Sequence, residues 1–381
     1  MCSTMGPEDL GLDILQRVRG HIDRISPVLP NQLVITIGRY VLGICSDPGR
    51  FTGDGKPTLI RILHRKDVAF KTVDVGLDSD NAIVIETAYE PHYWFDMRSH
   101  FDENGDLSED LEKRIFGYHE DVLSVASLSE GVASGVLPPL LSYLRREGKS
   151  AASIVVFPSM VHSSDALFNA FSTVGLVSMD ALGPLILLDQ SCLEAFVGVR
   201  RDGGVLMGSG VIDYLVELFL GKDGFIRDLA KLSRSFGVGI FTVLMAAGCS
   251  LKIYESFRNI LDITLEQPML DLDLSTASMV YAIVRAPLHL RGELTKGRIE
   301  LEVASWLKER ADLDAPQICD PVYVEEFGDK IDIVILVGGL DMRGLFASID
   351  SRISRFSRIM VEQELYDREA WIEIRRQLLG S

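Results

Sequence analysis

The sequence predicts an α/β protein: a mostly parallel sheet with helices on both faces, followed by a smaller strand-and-helix region and a helical tail. Three observations predict it. Between Asp121 and Gln190, short apolar β-forming runs (DVLSVASL, SIVVFPS, PLILLD) alternate with helical stretches (PPLLSYLRREG, SSDALFNAFSTVGL). Strands without polar alternation, separated by helices, are how a parallel sheet covered on both faces reads in sequence. The pattern resumes after Gly239 with GIFTVLMAAG, SMVYAIVRAP and KIDIVILVGG. Finally, 381 residues at 47% hydrophobic and 24% charged give the balance of a globular chain long enough for two or three domains.

Taken in order, the first thirty residues hold an amphipathic helix, LDILQRVRGHIDRI, ended by the prolines of SPVLP. QLVITIG follows as a strand. GICSDPGRFTGDGKPT is rich in turn residues and leads to strand-like TLIRIL, AFKTVDV and NAIVIETAY. DENGDLSEDLEKRIFGYHED combines a turn with a short helix, which Ser108, Glu109 and Asp110 would start. After DVLSVASL comes a small-residue loop, SLSEGVASG, and then a helix that Pro138 and Pro139 open and Gly148 closes.

A long helix, SGVIDYLVELFLG, leads to the loop GKDG and the helical FIRDLAKLSRSFG. Helices are expected at SLKIYESFRNILDI and ELTKGRIELEVASWLKERAD, and a strand at PVYVEE. From Arg343 onward, one or two polar helices of mixed charge read as a solvated or partner-facing surface.

The formal charge of -17 sets the sign of the surface. It repels phosphate backbones and anionic lipid, so neither nucleic acid nor a membrane is an expected partner. No apolar run approaches the ~18 residues of a membrane span, and the N-terminus has no apolar signal core. The five cysteines are far apart, without a CxxC pair. That usage fits a reduced cytoplasmic setting rather than a disulfide framework or a zinc site.

Several local motifs fail on chemistry. GRFTGDGKPT is one residue too long for a Walker-A loop and places Pro57 where a metal-binding hydroxyl belongs. DENGDLSED has its glycine too early for a calcium loop. His92, Asp96, His100 and Asp102 lack convergent ligand spacing, so no metal site is expected. Ser134 lacks the G-x-S-x-G setting of a nucleophile elbow.

The order of elements resembles the tubulin/FtsZ superfamily: a nucleotide-binding domain, a connecting helix and a smaller C-terminal domain. The likeness spans roughly Asp121 to Asp341 and is carried by three stretches. DVLSVASLSEGVASGVLPPLLSYLRREGKSAASIVVFPS stands where the family has a strand, its glycine-rich signature loop, a helix and a strand. HSSDALFNAFSTVGLVSMDALGPLILLDQSCLEAF resembles the helix and strand whose end offers an Asn to guanine, with Gln190 at that place. SMVYAIVRAP through IVILVGGLD is similar to the C-terminal domain.

The resemblance implies a Rossmann-like parallel sheet at 31–207, following an N-terminal helical extension at 1–30. It implies a long central helix and loop at 208–235, an α+β C-terminal domain at 236–341 and a helical tail at 342–381. It also implies a cytoplasmic, cytoskeletal protein, in cell division, shape or partitioning, that assembles head to tail, either with itself or with another FtsZ/tubulin-like protein. GTP or GDP, with Mg2+, would be held by Gly38, Gly131, Val132, Ala133, Ser134, Gly135 and Gln190. Slow hydrolysis would be completed at the subunit boundary by Asp223 and Asp228. Asp223 fits because Phe225 follows at the family's place, although it also reads as a helix cap.

The alternative is a nucleotide-independent relative that uses the fold to bind or cap such a polymer. The signature GGGTGTG is reduced here to SEGVASG, which keeps Gly131 and Gly135 and introduces Glu130. A glycine-rich cradle turns successive backbone N–H groups toward phosphate. Val132 adopts a left-handed conformation only at a cost. Two like charges at about 4 Å repel by roughly 1 kcal/mol in water, and by several-fold more when partly buried.

Overall fold

The computed structural model describes residues 32–47, 50–51, 56–64, 82–86, 90–97, 121–200, 202–222, 224–313, 317–325 and 328–380. The N-terminal helix, the AFKTVDV strand, the helix after DENGD and Asp223 lie outside these residues. Strands β1 (Gln32–Ile37), β2 (Thr58–His64), β3 (Ala82–Ile85), β4 (Asp121–Ser127), β5 (Ser150–Phe157) and β6 (Leu185–Asp189) are all parallel, in the order β3-β2-β1-β4-β5-β6. This is the doubly wound order, and its connections change direction between β1 and β4. A crevice therefore opens there, beyond the carboxyl ends of the two strands.

A small hairpin, β7 (Gly198–Val199) and β8 (Val205–Leu206), stands outside the main sheet. The sheet continues past β6 through β9 (Ile240–Ser250), which pairs in parallel over Leu185–Leu187. Beyond it come β12 (Lys330–Gly338), β10 (Met279–Pro287) and β11 (Gln317–Val324), with β12 antiparallel to both of its neighbours. The C-terminal strands thus extend the first sheet, so that ten described strands are hydrogen-bonded in one series.

The helices are α1 (Gly131–Arg146), α2 (Ser164–Met179), α3 (Gln190–Ala195), α4 (Ser209–Gly221), α5 (Phe225–Phe236), α6 (Leu251–Tyr254), α7 (Phe257–Glu266), α8 (Lys296–Ala311), α9 (Arg343–Glu362) and α10 (Arg368–Leu379). Alternate strand residues point to opposite faces. Leu33, Ile35 and Ile37 pack with α1, α2, α9 and α10, whereas Val34, Leu123, Val125 and Ile154 pack with α4 and α5. A third cluster places α7 and α8 on the C-terminal strands. The connecting helix α4 has 13 residues, about 20 Å at 1.5 Å per residue. It packs on both the early strands and Tyr281, Ile283, Val334 and Leu336.

Three expectations require correction. The helix expected at Pro138 begins instead at Gly131, so the small-residue stretch is its first turn and Val132 needs no left-handed backbone. Pro138 and Pro139 lie inside it. A proline there removes a helical N–H donor, and the Thr173 hydroxyl shares its one proton between the Ser134 carbonyl that Pro138 cannot reach, at 3.0 Å, and the Asn169 carbonyl of its own helix, at 2.8 Å. The expected helix at SLKIYESFRNILDI is two helices, α6 and α7, broken at Glu255, whose φ is 62°.

The tail is also more than a solvated surface. It buries Phe346, Ile349, Ile353, Met360, Trp371, Ile374 and Leu378 in the core under α2. At ~1.5–3 kcal/mol per large side chain, this burial is of the order of 10 kcal/mol before chain entropy is subtracted.

Candidate functional site

The crevice between β1 and β4 is where an anion would be held. β1 ends at Ile37, and Gly38 turns the chain with φ at 87°. The next two backbone N–H groups both donate to one carboxylate, that of Glu130: Arg39 N to Oε2 at 2.8 Å and Tyr40 N to Oε1 at 2.7 Å. A Cβ on Gly38 would lie 2.2 Å from Glu130 Oε2. Glycine is therefore required there twice over, for the positive φ and for the close approach.

Glu130 is the N-cap residue of α1, with extended backbone at φ -97° and ψ 134°. Its side chain makes no cap bond to its own helix and reaches across to the β1 turn instead. The helix end behind it favours negative charge. The Tyr40 phenol sits close by: burial, then Glu194, then Glu130 raise its pKa.

The other side of the α1 N-terminus is covered by residues 91–97. A Cβ on Gly131 would be 2.6 Å from the His92 carbonyl carbon, and one on Gly135 would be 2.3 Å from the Trp94 carbonyl oxygen. The retained glycines thus permit backbone to pack on helix. Asn169 of α2 fixes that segment, accepting from Trp94 N at 3.0 Å and donating to the His92 carbonyl at 2.8 Å. Asp96, weighed above as a metal ligand, accepts from His92 N and Tyr93 N and so ties the same turn. Tyr366 of the tail meets Trp94 edge-on, with ring centroids 5.3 Å apart.

The structure brings Gly38 and Gly131 to Gly135 together at this rim. Gln190 opens α3 at the end of β6 and donates to Glu194 at 2.9 Å, and Glu194 is one of the charges felt by Tyr40. Asp189 caps the same helix by accepting from Ser191 N and Cys192 N. Val132, Ala133 and Ser134 are buried, and the Ser134 hydroxyl donates to the Leu128 carbonyl at 2.8 Å.

Asp228 lies at the other end of the sheet, exposed in the first turn of α5 beside Arg227, which pairs with Asp121 at the start of β4 at 3.1 Å. It cannot meet the rim of its own chain. Also at that end is a cavity of about 590 Å³, bordered by Arg145, Lys149, Arg234 and Arg343. Cations there neutralise the carbonyl ends of α1 and α5, and none of its lining residues belongs to the rim.

As these residues stand, they do not fit a phosphate in the crevice. The paired N–H groups are already taken by a carboxylate, and the 91–93 backbone closes the other approach. Among the described residues, no group of three or more His, Cys, Asp or Glu could hold a metal ion, and no helix is long and apolar enough to cross a membrane.

Sequence reasoning flagged the charge of Glu130 but missed its partners. It also missed a charged network at α4. There Arg50 bonds Asp213 at 2.7 Å and Glu217 at 2.8 Å, while Arg285 of β10 bonds Glu217 at 3.0 Å and Asp332 at 2.8 Å. Burial works against the Arg285 charge, but Tyr214, Asp332 and Glu217 outweigh it and raise its pKa.

No protein-family model matches the chain, and no curated protein is similar in sequence. Solved structures are similar in shape. CetZ from Methanosaeta thermophila superposes with a TM-score of 0.65 at 14% identity, over 92% of this chain and 98% of that one. A protofilament form of TubZ from Bacillus thuringiensis serovar israelensis gives 0.63 at 13%, over 95% and 98%. A mutant FtsZ from M. jannaschii gives 0.60 at 14%, over 89% and 97%. At such identities the likeness shows the fold, which is that of the tubulin/FtsZ superfamily.

Proposed function

We propose that this tubulin/FtsZ-fold chain is a cytoplasmic assembly module that works without nucleotide. It associates head to tail with copies of itself or caps another polymer of the same fold, in a cytoskeletal role. One observation carries the nucleotide-independent part: Glu130 occupies the paired N–H groups of the β1 turn at 2.7 and 2.8 Å, where an anionic ligand would have to sit. The assembly part is supported by the fold, since one of the similar structures is described as a protofilament.

The test combines two measurements. Acid extraction of the purified protein should release no guanine nucleotide, and sedimentation and light scattering should show the same association with and without GTP. Stoichiometric GDP or GTP in the extract would overturn the reading.

The second reading, slow GTP hydrolysis across a subunit boundary, is favoured by the exposure of Asp228 at the end opposite the rim. It places GTP with Mg2+ at the rim, with Gln190 toward the base and Asp223 and Asp228 acting from the next subunit. Under this reading, GTP drives association and Asp228→Ala abolishes phosphate release.

A further inference from the structure

The geometry points to Glu130 as a built-in surrogate for an oxyanion. Its carboxylate holds the β1 turn as a bound phosphate would, and removing it uncovers a latent site for a single oxyanion such as inorganic phosphate. The inference rests on the reading of this rim as closed to nucleotide.

Four features converge on it. The carboxylate lies at the point where the sheet connections change direction, the ligand position of this class of sheet. Two successive backbone N–H groups meet it, one on each oxygen, at 2.8 and 2.7 Å. That is the arrangement by which a turn following a positive-φ residue cradles an anion, and Gly38 supplies the positive φ at 87°. The first turn of a 16-residue helix stands behind the carboxylate, which adds a favourable dipole. Glu130 also leaves its own helix uncapped in order to reach the turn. An ordinary N-cap residue would bond inward, to its own first-turn N–H groups.

The turn it holds leads into the rest of the molecule. Cys45 N donates to Asp213 of α4 at 3.1 Å, and Arg61 donates to the carbonyls of Leu42, Ile44 and Cys45 at 3.1 to 3.2 Å. A surrogate anion therefore fixes, permanently, a segment tied to the connecting helix.

Removing the side chain leaves the N–H pair and the helix end facing a space the size of one oxyanion. The 91–93 backbone still closes the far side, so a nucleoside triphosphate gains nothing. Thermal unfolding is followed for the unmodified chain, Glu130→Ala and Glu130→Gln, in inorganic phosphate and in chloride of equal ionic strength. The expected result is a melting temperature that rises with the logarithm of phosphate concentration in Glu130→Ala, and no such rise in the other two. Gln still fills the space and offers an N–H to an N–H, so it loses stability and gains no ligand.

A Glu130→Ala protein that is folded yet responds to phosphate no more than the unmodified chain overturns the inference. If Glu130→Ala folds only in phosphate, the inference is supported. If it folds in neither buffer, amide exchange in Glu130→Gln decides. Exchange should quicken by about tenfold or more at whichever of Arg39 and Tyr40 faces the amide nitrogen and loses its acceptor, and unchanged exchange at both overturns the surrogate role. A failure of the unmodified chain to assemble would count against the proposed function and leave these readings unaltered.

Discussion

Gly135→Ala separates two accounts of the small-residue stretch by the sign of its effect. In helix α1, replacing Gly with Ala should by propensity alone stabilise by about 1 kcal/mol. The new Cβ, however, would sit 2.3 Å from the Trp94 carbonyl oxygen and 2.5 Å from Met97 Cβ. One of these neighbours is backbone, held by the Asn169 bonds on the same segment. Overpacking of a fitted core costs typically 1–3 kcal/mol, and a clash with tethered backbone belongs at the upper end of that range. The net expectation is a loss of about 1–2 kcal/mol, or roughly 1–3 °C in Tm for a chain of 381 residues. Urea and thermal denaturation measure it directly. Gly297→Ala in α8 is the control: its Cβ meets nothing within 4 Å, so it should be neutral or stabilise by up to about 1 kcal/mol. If Gly135→Ala is as stable as the unmodified chain or more so, the glycines do not serve the packing of residues 91–97 and the closed-rim argument loses that support.

Two further substitutions probe other parts of the frame. Thr173→Val keeps the shape but removes the hydroxyl shared by the Asn169 carbonyl and the Ser134 carbonyl that Pro138 leaves free; it should cost about 1 kcal/mol by urea denaturation, and a neutral result would mean that the Ser134 carbonyl does not depend on this donor. Arg285→Met takes the arginine partner from Asp332 and from one oxygen of Glu217. A loss of about 3–5 kcal/mol is expected for breaking one side of a buried pair, with partial recovery when Asp332→Asn removes the buried charge while its Oδ1 still accepts from Gly248 N.

Much of the sheet was legible because a fully buried parallel strand is written locally, as a short apolar run such as SIVVFPS or PLILLD. What was not legible depends on partners far away in the chain. Pro138 and Pro139 read as helix openers, since Pro is at home in a first turn. The hydroxyl that meets the carbonyl freed by Pro138 comes from Thr173, 35 positions on. Gly131 and Gly135 read as phosphate glycines, because the segment that presses on them, residues 91–97, carries no pattern linking it to a helix forty residues downstream. Glu130 was visible as a misplaced charge, but its partners are main-chain groups, which have no signature in sequence. The tail is a different case. Phe346, Ile349, Ile353 and Met360 recur every three to four residues or a multiple of that spacing, a buried stripe that the surrounding charge concealed.

An anion that belongs to the chain differs from one taken from solution in how its effect can be withdrawn. A ligand contributes stability as RT ln(1 + [L]/Kd), about 2.7 kcal/mol at a hundredfold excess over Kd, and the contribution disappears when the ligand is hydrolysed or released. The Glu130 carboxylate, at 2.7 and 2.8 Å from its donors, is covalently part of the chain, so its local concentration does not depend on a ligand in solution and it loses no translational freedom on arriving. Under the proposed reading, the β1 turn and the α4 network behind it therefore have no nucleotide-dependent second state to visit. Whatever turns assembly on or off must then act elsewhere, at the exposed ends that copies or partners would share. Association should accordingly follow protein concentration and salt, and be indifferent to the guanine nucleotide supplied.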